Sequence, residues 1–549
     1  MSEPWIRWFS GAALAFLLCP APPLAAQQAP AAEEETFSEA IEVSIVNLEV
    51  FVTDGKGRPI HGLKREDFEV LEDGRPVEIS NFYAESGAVP VAPGTAAAGA
   101  AARPEDQRLN LVLFIDDVNT EHQSRTPILM GLKQFLRNTL QPGDRAMLVR
   151  YTSSLDIRRP LTGDVAQLEA DIDALKEISA DIRNREGSRS HALEDIIDAI
   201  YTGDGWGPLA EGRIRAYAEQ ESAVVRGALD GLEAVVSWLA GVSGRKAILY
   251  VSDGLALTPG DDLYYWASAR SNFRAGRRIS GMGSQTFDLS KKFREVTSHA
   301  SRNRVTIYPI EAAGIRTVRG TAVQEVLFQN LQNGLRFLAD ETGARPMLNA
   351  AKPAESLKLM TDDLGSFYSL GYQPARTGDD REHKIEVKVK ARGANVRHRQ
   401  WYKDKPVSEQ VAERTLAVMR FGPEDNPLGA TLEIGEQKAE GEGVLVPVRV
   451  KIPVGKLYLA AKEGARTASL RLFVVASGGG STTPVRETRT VSLTIPQTEL
   501  AAGKVRDYVQ DVGMTLKPGT YSVGVGVRDE GGSITSYLRK DFEVALPNP

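Results

Sequence analysis

Cysteine and histidine are scarce in this chain of 549 residues, and their scarcity excludes several kinds of chemistry. Cys19 is the single cysteine, so no intrachain disulfide can form. The six histidines show no HExxH or other metal-binding spacing, which argues against a zinc hydrolase. A P-loop and a GxSxG nucleophile elbow are also missing from the sequence, which argues against ATP hydrolysis and serine hydrolase chemistry.

Long runs of basic residues are missing as well. The chain has 66 Lys and Arg residues against 72 Asp and Glu residues, and its basic residues are scattered, which predicts no binding of nucleic acid. After the first residues, no stretch is long and apolar enough to cross a membrane. A hydrophobic content of 42% is typical of globular protein, and the length of the chain predicts several domains.

The N-terminus has the pattern of an export signal. Gly11–Leu18 is a short apolar core, and Leu24-Ala25-Ala26 offers a cleavage site, so residues 1–26 are predicted to be a signal peptide. The predicted location is therefore the periplasm or the extracellular space, with a disordered linker over residues 27–39. Lipid attachment at Cys19 is the alternative, and the bulky Phe16 and Leu17 disfavour it.

Two short apolar runs predict the centre of the fold. Leu109–Ile115 is apolar at every position except Asn110, and Ala247–Val251 is apolar throughout. Such runs are typical of strands buried on both faces of a parallel sheet. Amphipathic helical patterns alternate with strands around them, which predicts a doubly wound, mostly parallel α/β sheet. Asp116, Asp117 and Asp253 directly follow the two strands, so they are expected to meet at one rim of the sheet.

Changes of composition predict further domains on both sides of the α/β region. From about Arg414 onward, regular β patterning with Gly- and Pro-rich turns favours a β-sandwich of the immunoglobulin or fibronectin type III kind. The predicted boundaries are a small β domain at 40–86, an Ala/Gly/Pro linker at 87–107, the α/β domain at 108–375 with Phe367–Tyr372 as a late strand, a β-hairpin extension at 376–404, and the sandwich at 414–549.

An insertion after Gly254 is rich in aromatic residues and arginine, the residue types that often anchor protein interfaces. The alternative is that its aromatic residues form the core of an inserted helix and its arginines form a solvated face. The candidate partner-binding residues are Tyr264, Tyr265, Trp266, Arg274, Arg277 and Arg278.

Four stretches of the chain resemble one family. The resemblance covers roughly Val43–Tyr402 and is to the von Willebrand factor A (vWA) domain, in particular to exported bacterial proteins with a "VWFA-related" domain. The first and last stretches are the specific ones, and the sandwich is not part of the resemblance. The stretches are Val50–Phe82, Leu111–Thr120, Ile248–Gly254 and Phe367–Trp401.

The resemblance implies a metal-ion-dependent adhesion site for Mg²⁺ or another divalent cation, with a first loop of the form Asp-x-Ser-x-Ser. Asp116 and Thr120 match its ends, but Val118 replaces the first serine and offers no oxygen, so the implied site is degenerate. Asp117 or Asn119 could replace that ligand, and Asp253 matches the third loop. Ser188 or Ser190 could supply the middle loop, although an exposed helix N-cap is the simpler interpretation of these serines. For the aspartates, the simpler interpretation is a strand end with turn-forming carboxylates.

These observations lead to a functional expectation. The chain is expected to be a non-enzymatic exported protein that binds a protein partner, or mediates adhesion, through the carboxyl rim of its α/β sheet. The alternative is a structural scaffold whose rim is inert and whose β domains make the contacts. A hydrolase that uses the rim carboxylates is a third possibility, and the sequence marks no substrate cleft for it.

Overall fold

A small β-sandwich is formed by two segments of the chain that lie far apart in sequence, and the α/β domain is inserted between them. Its first segment contributes β1 (Val46–Thr53), β2 (Phe68–Glu72), β3 (Arg75–Val77) and β4 (Ile79–Ser86). The turn between β2 and β3 is tight because Asp73 and Gly74 both adopt positive φ.

This architecture comes from a computed structural model. Predictions for the signal peptide, for the linker at 27–39, for nearly all of the linker at 87–107, and for Arg274, Arg277 and Arg278 lie outside the described residues. The described residues are 45–86, 107–178, 185–202, 208–271, 286–314, 322–350, 352–374, 381–422, 425–441, 443–478, 484–501 and 506–545.

The inserted domain is built on a five-stranded sheet of order β7-β6-β5-β8-β9. Strand β5 lies at its centre and pairs in parallel with both β6 and β8, while the edge strand β7 runs antiparallel. Every residue of β5 and β8 is buried, as expected for strands covered on both faces. The strands are β5 (Leu109–Asp116), β6 (Arg145–Tyr151), β7 (Leu155–Thr162), β8 (Arg245–Ser252) and β9 (Val305–Glu311).

Helices cover both faces of this sheet, so the predicted doubly wound arrangement is present. One apolar core contains Val225, Leu232 and Phe293, and the opposite core contains Leu132, Ile172 and Leu357. None of the described helices combines the length and apolar character that crossing a bilayer requires. The helices are α1 (His122–Thr139), α2 (Val165–Glu177), α3 (Arg185–Thr202), α4 (Pro208–Leu239), α5 (Asp261–Ser271), α6 (Ser290–Arg302), α7 (Ala322–Thr342) and α8 (Pro353–Gly365).

The strand that follows α8 returns to the small sandwich, which corrects the predicted assignment of Phe367–Tyr372 to the α/β domain. It pairs antiparallel with both β1 and β4, at Val46↔Tyr372 and Ser366↔Ser86 among other positions. A buried apolar strand has the same sequence pattern in either sheet, so only the fold identifies its partners. The predicted hairpin at 376–404 belongs to the same sandwich. The strands are β10 (Ser366–Tyr372), β11 (Glu382–Val389), β12 (Asn395–Arg397) and β13 (Trp401–Lys403).

The sandwich has two four-stranded sheets, of order β12-β1-β10-β4 and β13-β11-β2-β3. Its core is formed by inward-facing residues of both segments, among them Leu48, Val70, Leu370 and Ile385. Neither segment can form this core alone.

A second β-sandwich occupies the C-terminal region, with a helix packed on its outer face. That helix, α9 (Val407–Phe421), spans the predicted boundary at Arg414, so the boundary is wrong by about two turns. Gly524 and Gly526 allow its close approach, because a Cβ on either would lie within 3 Å of α9. The remaining elements are β14 (Thr431–Ile434), β15 (Lys438–Glu440), β16 (Gly443–Pro453), β17 (Ala460–Lys462), β18 (Ala465–Gly478), β19 (Val485–Pro496), α10 (Gln497–Ala501), β20 (Asp507–Leu516), β21 (Gly519–Asp529) and β22 (Ile534–Val544).

Candidate functional site

The residues predicted to meet at the rim do come together, at the carboxyl ends of β5 and β8. The Asp253 backbone N–H donates to the Asn119 carbonyl at 2.8 Å, and the Ser252 hydroxyl donates to the same oxygen at 3.3 Å. The Thr120 hydroxyl donates to the Val251 carbonyl at 3.4 Å. Two loops that lie more than 130 residues apart in sequence are therefore joined by hydrogen bonds.

The Asp116 carboxylate is fully buried and accepts hydrogen bonds from four donors. Its Oδ1 atom accepts from the backbone N–H groups of Val118 at 3.1 Å and Asn119 at 3.0 Å. Its Oδ2 atom accepts from Asn119 Nδ2 at 2.9 Å and from the Tyr250 hydroxyl. A carboxylate offers about four lone-pair positions, so these four protein donors occupy the acceptor positions of Asp116.

The neighbouring Asp117 carboxylate is held between two arginines. Its Oδ1 atom lies 3.0 Å from Arg125 Nε, and its Oδ2 atom accepts from Arg150 Nε. Arg125 is also buried, and it donates to the carbonyls of Leu175 at 2.6 Å and Ile178 at 3.1 Å. Burial lowers the pKa of Arg125, and the Asp117 charge opposes that effect. Asp117 therefore has two cationic partners in the folded protein.

Asp253 stabilises the start of helix α1. Its Oδ2 atom accepts from the Glu121 backbone N–H at 2.7 Å, at a helix end where the Glu121 side chain makes no capping hydrogen bond. A carboxylate at this position accepts from an otherwise unbonded N–H, and its negative charge interacts favourably with the helix dipole. The loop after β8 thus caps a helix that begins in the loop after β5.

Val118, which stands where the resemblance implies a serine ligand, packs against the apolar core that contains Leu229 and Phe293. Its side chain is half-buried and contributes to packing. Ser188 and Ser190 lie on α3, and among the described residues no hydrogen bond joins either serine to Asp116 or Asp253. Between them, Arg189 forms an ion pair of 2.6 Å with the buried Asp262 on α5. Burial raises the pKa of Asp262, although the Arg189 charge opposes that shift.

A small helical cap extends beyond the rim; it comprises α3, residues 208–221 of α4, and α5. Helix α4 has 32 residues and is about 48 Å long, whereas the 8 residues of β8 span about 26 Å. The C-terminal half of α4 packs on the sheet through Val225–Leu239, and its N-terminal half packs in a separate core with Ile196, Leu263 and Phe287.

The aromatic candidates of the insertion lie on this cap. Tyr264 is buried in the cap core and Trp266 is half-buried against it, so these two residues fit the core alternative. Tyr265 is 42% exposed. The sequence pattern of aromatic residues therefore indicated the cap, but it did not show which side chain would face solvent.

Sequence reasoning missed three residues that complete the rim, namely Arg125, Arg150 and Tyr250. A usable signal existed for Tyr250, since the parallel register places it opposite Phe114, two residues before Asp116. The same register places Arg150 of β6 opposite Ile115, two residues before Asp117, whereas Arg125 reaches Asp117 from a helix and gives no such signal.

A group of possible metal ligands was also missed, and it lies on the small sandwich. The ligand atoms of Glu72, Asp73 and His383 lie within 4.8 Å of one another, which among the described residues is the one such group of three or more His, Cys, Asp or Glu side chains. His383 Nδ1 is hydrogen-bonded to Asp73 Oδ2 at 2.9 Å, and Asp73 Oδ1 accepts from the Lys384 backbone at 2.9 Å. These bonds hold the β2–β3 hairpin on β11.

No protein-family model matches the chain, and no curated protein matches it in sequence. Several solved structures are similar to part of the chain. An aerotolerance-related membrane protein from Bacteroides fragilis is 9% identical, and the match covers 47% of this chain and 98% of that one at a TM-score of 0.24. The manganese-loaded TRAP protein of Plasmodium vivax is 10% identical, with 54% and 95% covered and a TM-score of 0.24.

The proximal thread matrix protein 1 of the mussel byssus, solved with a zinc-occupied MIDAS motif, is 10% identical. That match covers 47% of this chain and 48% of the mussel protein at a TM-score of 0.22. Likenesses of this size do not assign a function, a metal or a partner to this chain.

Proposed function

We propose that this chain is a non-enzymatic protein-interaction protein whose helical cap, rather than a rim-bound metal, makes the principal contact with a protein partner. The observation that carries the proposal is the exposure of large apolar side chains on the cap, at Ile197, Leu209 and Tyr265. Leu209 is 57% exposed. Apolar and aromatic groups on a rigid helical surface are typical anchors of protein interfaces.

The contacts of the rim support a structural role for its acidic residues. Asp116 accepts from four protein donors, Asp117 is paired with two arginines, and Asp253 caps α1. Both rim hydroxyls, on Thr120 and Ser252, donate to backbone carbonyls. In these contacts the carboxylates join loops and helices, and neither hydroxyl is positioned by a general base, which supports a non-enzymatic protein.

A photo-crosslinking comparison tests the proposed contact surface. A photoreactive phenylalanine analogue is placed at Leu209 on the cap, and separately at Tyr458 on the C-terminal sandwich, which is also 57% exposed. Irradiation of cells that produce the full chain should give a discrete adduct from position 209 and none from position 458. Adducts from position 458 alone would favour the scaffold alternative, in which the β domains make the contacts.

The same adduct should persist when the cell envelope is treated with a chelator, because the proposed contact needs no cation. Calorimetric titration with Mg²⁺ should show weak or no binding by the natural chain, since Val118 offers no oxygen and donors already surround Asp116. Val118→Ser should raise the affinity. Tight binding by the natural chain that Asp116→Ala abolishes would restore the metal-dependent alternative, with Asp117 or Asn119 supplying the missing ligand.

Export to the periplasm or beyond is part of the proposal, supported by the apolar core and the cleavage site near Ala26. N-terminal sequencing of protein recovered from an exporting host should begin near Gln27. An intact Met1, or lipid on Cys19, would contradict this part of the proposal.

A further inference from the structure

A cavity opens at the opposite end of the parallel sheet, where the inserted α/β domain meets the small sandwich. The α/β domain contributes residues at the amino ends of β8 and β9, and the sandwich contributes residues of β1, β10 and the segment between β12 and β13. Clefts between packed units are frequent sites of ligand binding. Its lining includes Asn47, Glu49, Arg245, Arg304, Ser369 and Arg399.

The cavity has more positive than negative charge. Arg245 is the best neutralised of its three arginines, because its Nη2 atom lies 3.1 Å from Glu49 Oε2 and its guanidinium stacks 3.6 Å from the centre of the Phe367 ring. Burial opposes the charge on Arg245, but the Glu49 carboxylate holds its pKa above the usual value. Glu49 is the one carboxylate of the described cavity lining, and its charge also favours the charged forms of Arg304 and Arg399, so a single negative charge serves three arginines.

Arg399 is held in place by backbone carbonyls. Its Nη2 atom donates to the Asn47 carbonyl at 2.9 Å, and its Nη1 atom donates to the Ser301 carbonyl at 3.3 Å. Its Nε atom is buried and has no hydrogen-bond partner among the described residues. Two carbonyls therefore orient the guanidinium without neutralising its charge.

Arg304 has no such constraint on its side chain. It directly precedes β9 with a φ of 55°, and its side chain is exposed and lines the cavity. In the part of the chain that the structure describes, no hydrogen bond or ion pair engages its guanidinium. Burial, reinforced by the charge of Arg304, lowers the pKa of Arg399 to about 10. Both guanidinium groups line the same cavity, so their positive charges repel each other.

An anion between these guanidinium groups would relieve that repulsion. Guanidinium groups match the oxygens of phosphate and carboxylate groups through paired N–H donors. Three arginines against one glutamate leave an excess of two positive charges, which suits a ligand with two negative charges. Asn47 and Ser369 add neutral polar groups that suit the remaining oxygens of such a ligand.

We propose that this cavity is a binding site for a small dianionic oxyanion, either a phosphate group or a pair of carboxylates. The proposal is independent of the cap and of its partner, since the cavity lies at the other end of the sheet. A bound anion would bridge residues of the inserted domain and of the sandwich, so it would stabilise the junction between them.

Titration of the full chain with sodium phosphate, with sodium malonate, and with sodium chloride at matched ionic strength tests the proposal. Phosphate or malonate should give saturable heat in calorimetry and should raise the melting temperature, whereas chloride should do neither. Binding of phosphate alone would identify a phosphate ligand, and binding of malonate alone would identify a dicarboxylate. Failure of both anions, or an equal effect of chloride, would overturn the proposal.

Arg304→Gln should weaken binding of the effective anion at least tenfold and leave the circular dichroism spectrum unchanged, because its side chain is exposed. The matched control is Arg294→Gln on α6, an exposed arginine outside the cavity, which should bind like the natural chain. Arg399→Lys keeps the charge but loses the paired donors, so it should also weaken binding. Unchanged affinity in Arg304→Gln and Arg399→Lys would contradict the proposed site.

Discussion

The two ends of the parallel sheet treat buried charge in opposite ways. At the carboxyl end, Asp116, Asp117 and Asp253 have protein partners that link loops and helices. At the amino end, the cations outnumber their acidic partners, and Lys246 adds a further positive charge to those of Arg304 and Arg399. Burial and the neighbouring cations lower the pKa of Lys246 well below its usual range. Folds of this kind usually bind ligands at the carboxyl rim, but here the rim carboxylates are bonded to protein donors, and positive charge without an acidic partner lies at the opposite end.

The largest expected effect comes from breaking the two ion pairs of Asp117 at the carboxyl end. Asp117→Asn would leave the buried Arg125 and the half-buried Arg150 beside a neutral group, and loss of one partner of a buried pair costs about 3–5 kcal/mol of unfolding free energy. Urea denaturation of the full chain measures the change. The matched control, Asp511→Asn, breaks an exposed pair with Arg449 and should cost less than about 1 kcal/mol. Equal, small losses in both variants would show that Asp117 is not a structural charge.

A second variant increases the imbalance at the amino end. Glu49→Gln removes the carboxylate partner of Arg245, and because Glu49 is partly exposed the expected loss is about 2–3 kcal/mol. Phosphate should raise the melting temperature of the variant more than that of the natural chain, because an added anion replaces the missing negative charge. Thermal melts of both proteins with and without phosphate measure this difference. If phosphate did not raise the melting temperature of the variant, the result would show that the cavity does not bind anions.

A third variant tests the neutral donor at the rim. Tyr250→Phe removes the hydroxyl that donates to Asp116, so about 1–2 kcal/mol of stability should be lost. Tyr308→Phe is the matched control, because Tyr308 is also buried in this sheet and its hydroxyl has no hydrogen-bond partner among the described residues. Denaturation midpoints of the two variants should therefore differ. An identical response would mean that the Tyr250 hydroxyl contributes nothing to the rim.

The difference between the two ends also explains what the sequence could and could not predict. The apolar runs of β5 and β8 predicted a buried parallel sheet, and the carboxylates that follow them were expected to meet at one rim. The partners of those carboxylates come from other elements, so periodicity does not reveal them. The arginine cavity is formed by segments as distant as Glu49 and Arg399, and only the fold brings these segments together.

The insertion of one domain in another was equally hard to predict. The pattern of Phe367–Tyr372 predicted a strand correctly, but β1, which lies more than 300 residues earlier, is its partner. Local sequence specifies which face of a strand is buried, whereas the choice of partner depends on how the whole chain packs. For the same reason, the predicted boundary at Arg414 missed α9, whose residues Val411 and Val418 pack on Phe473 and Tyr537 of the C-terminal sandwich.

The smallest expected effect concerns pH and a histidine near the amino end of β9. His299 on α6 is half-buried and hydrogen-bonded to Ser237 Oγ at 2.9 Å, and burial lowers its pKa to about 4. Around it, Glu233 favours the charged form, whereas Arg302 and Lys405 disfavour it. Because the unfolded chain binds a proton near pH 6.5 and the folded chain does not, stability should fall as the pH drops from about 6.5 towards 4.

His299→Gln removes this titration, so the difference in unfolding free energy between pH 7 and pH 4.5 should be smaller in the variant by about 1 kcal/mol, a value reduced for partial solvent exposure. Urea denaturation at the two pH values gives that difference. The control is His122→Gln, an exposed residue at the start of α1, which should keep the full acid sensitivity of the natural chain. If His299→Gln and the natural chain lost equal stability on acidification, the carboxylates would account for the whole effect, and burial would not keep His299 neutral.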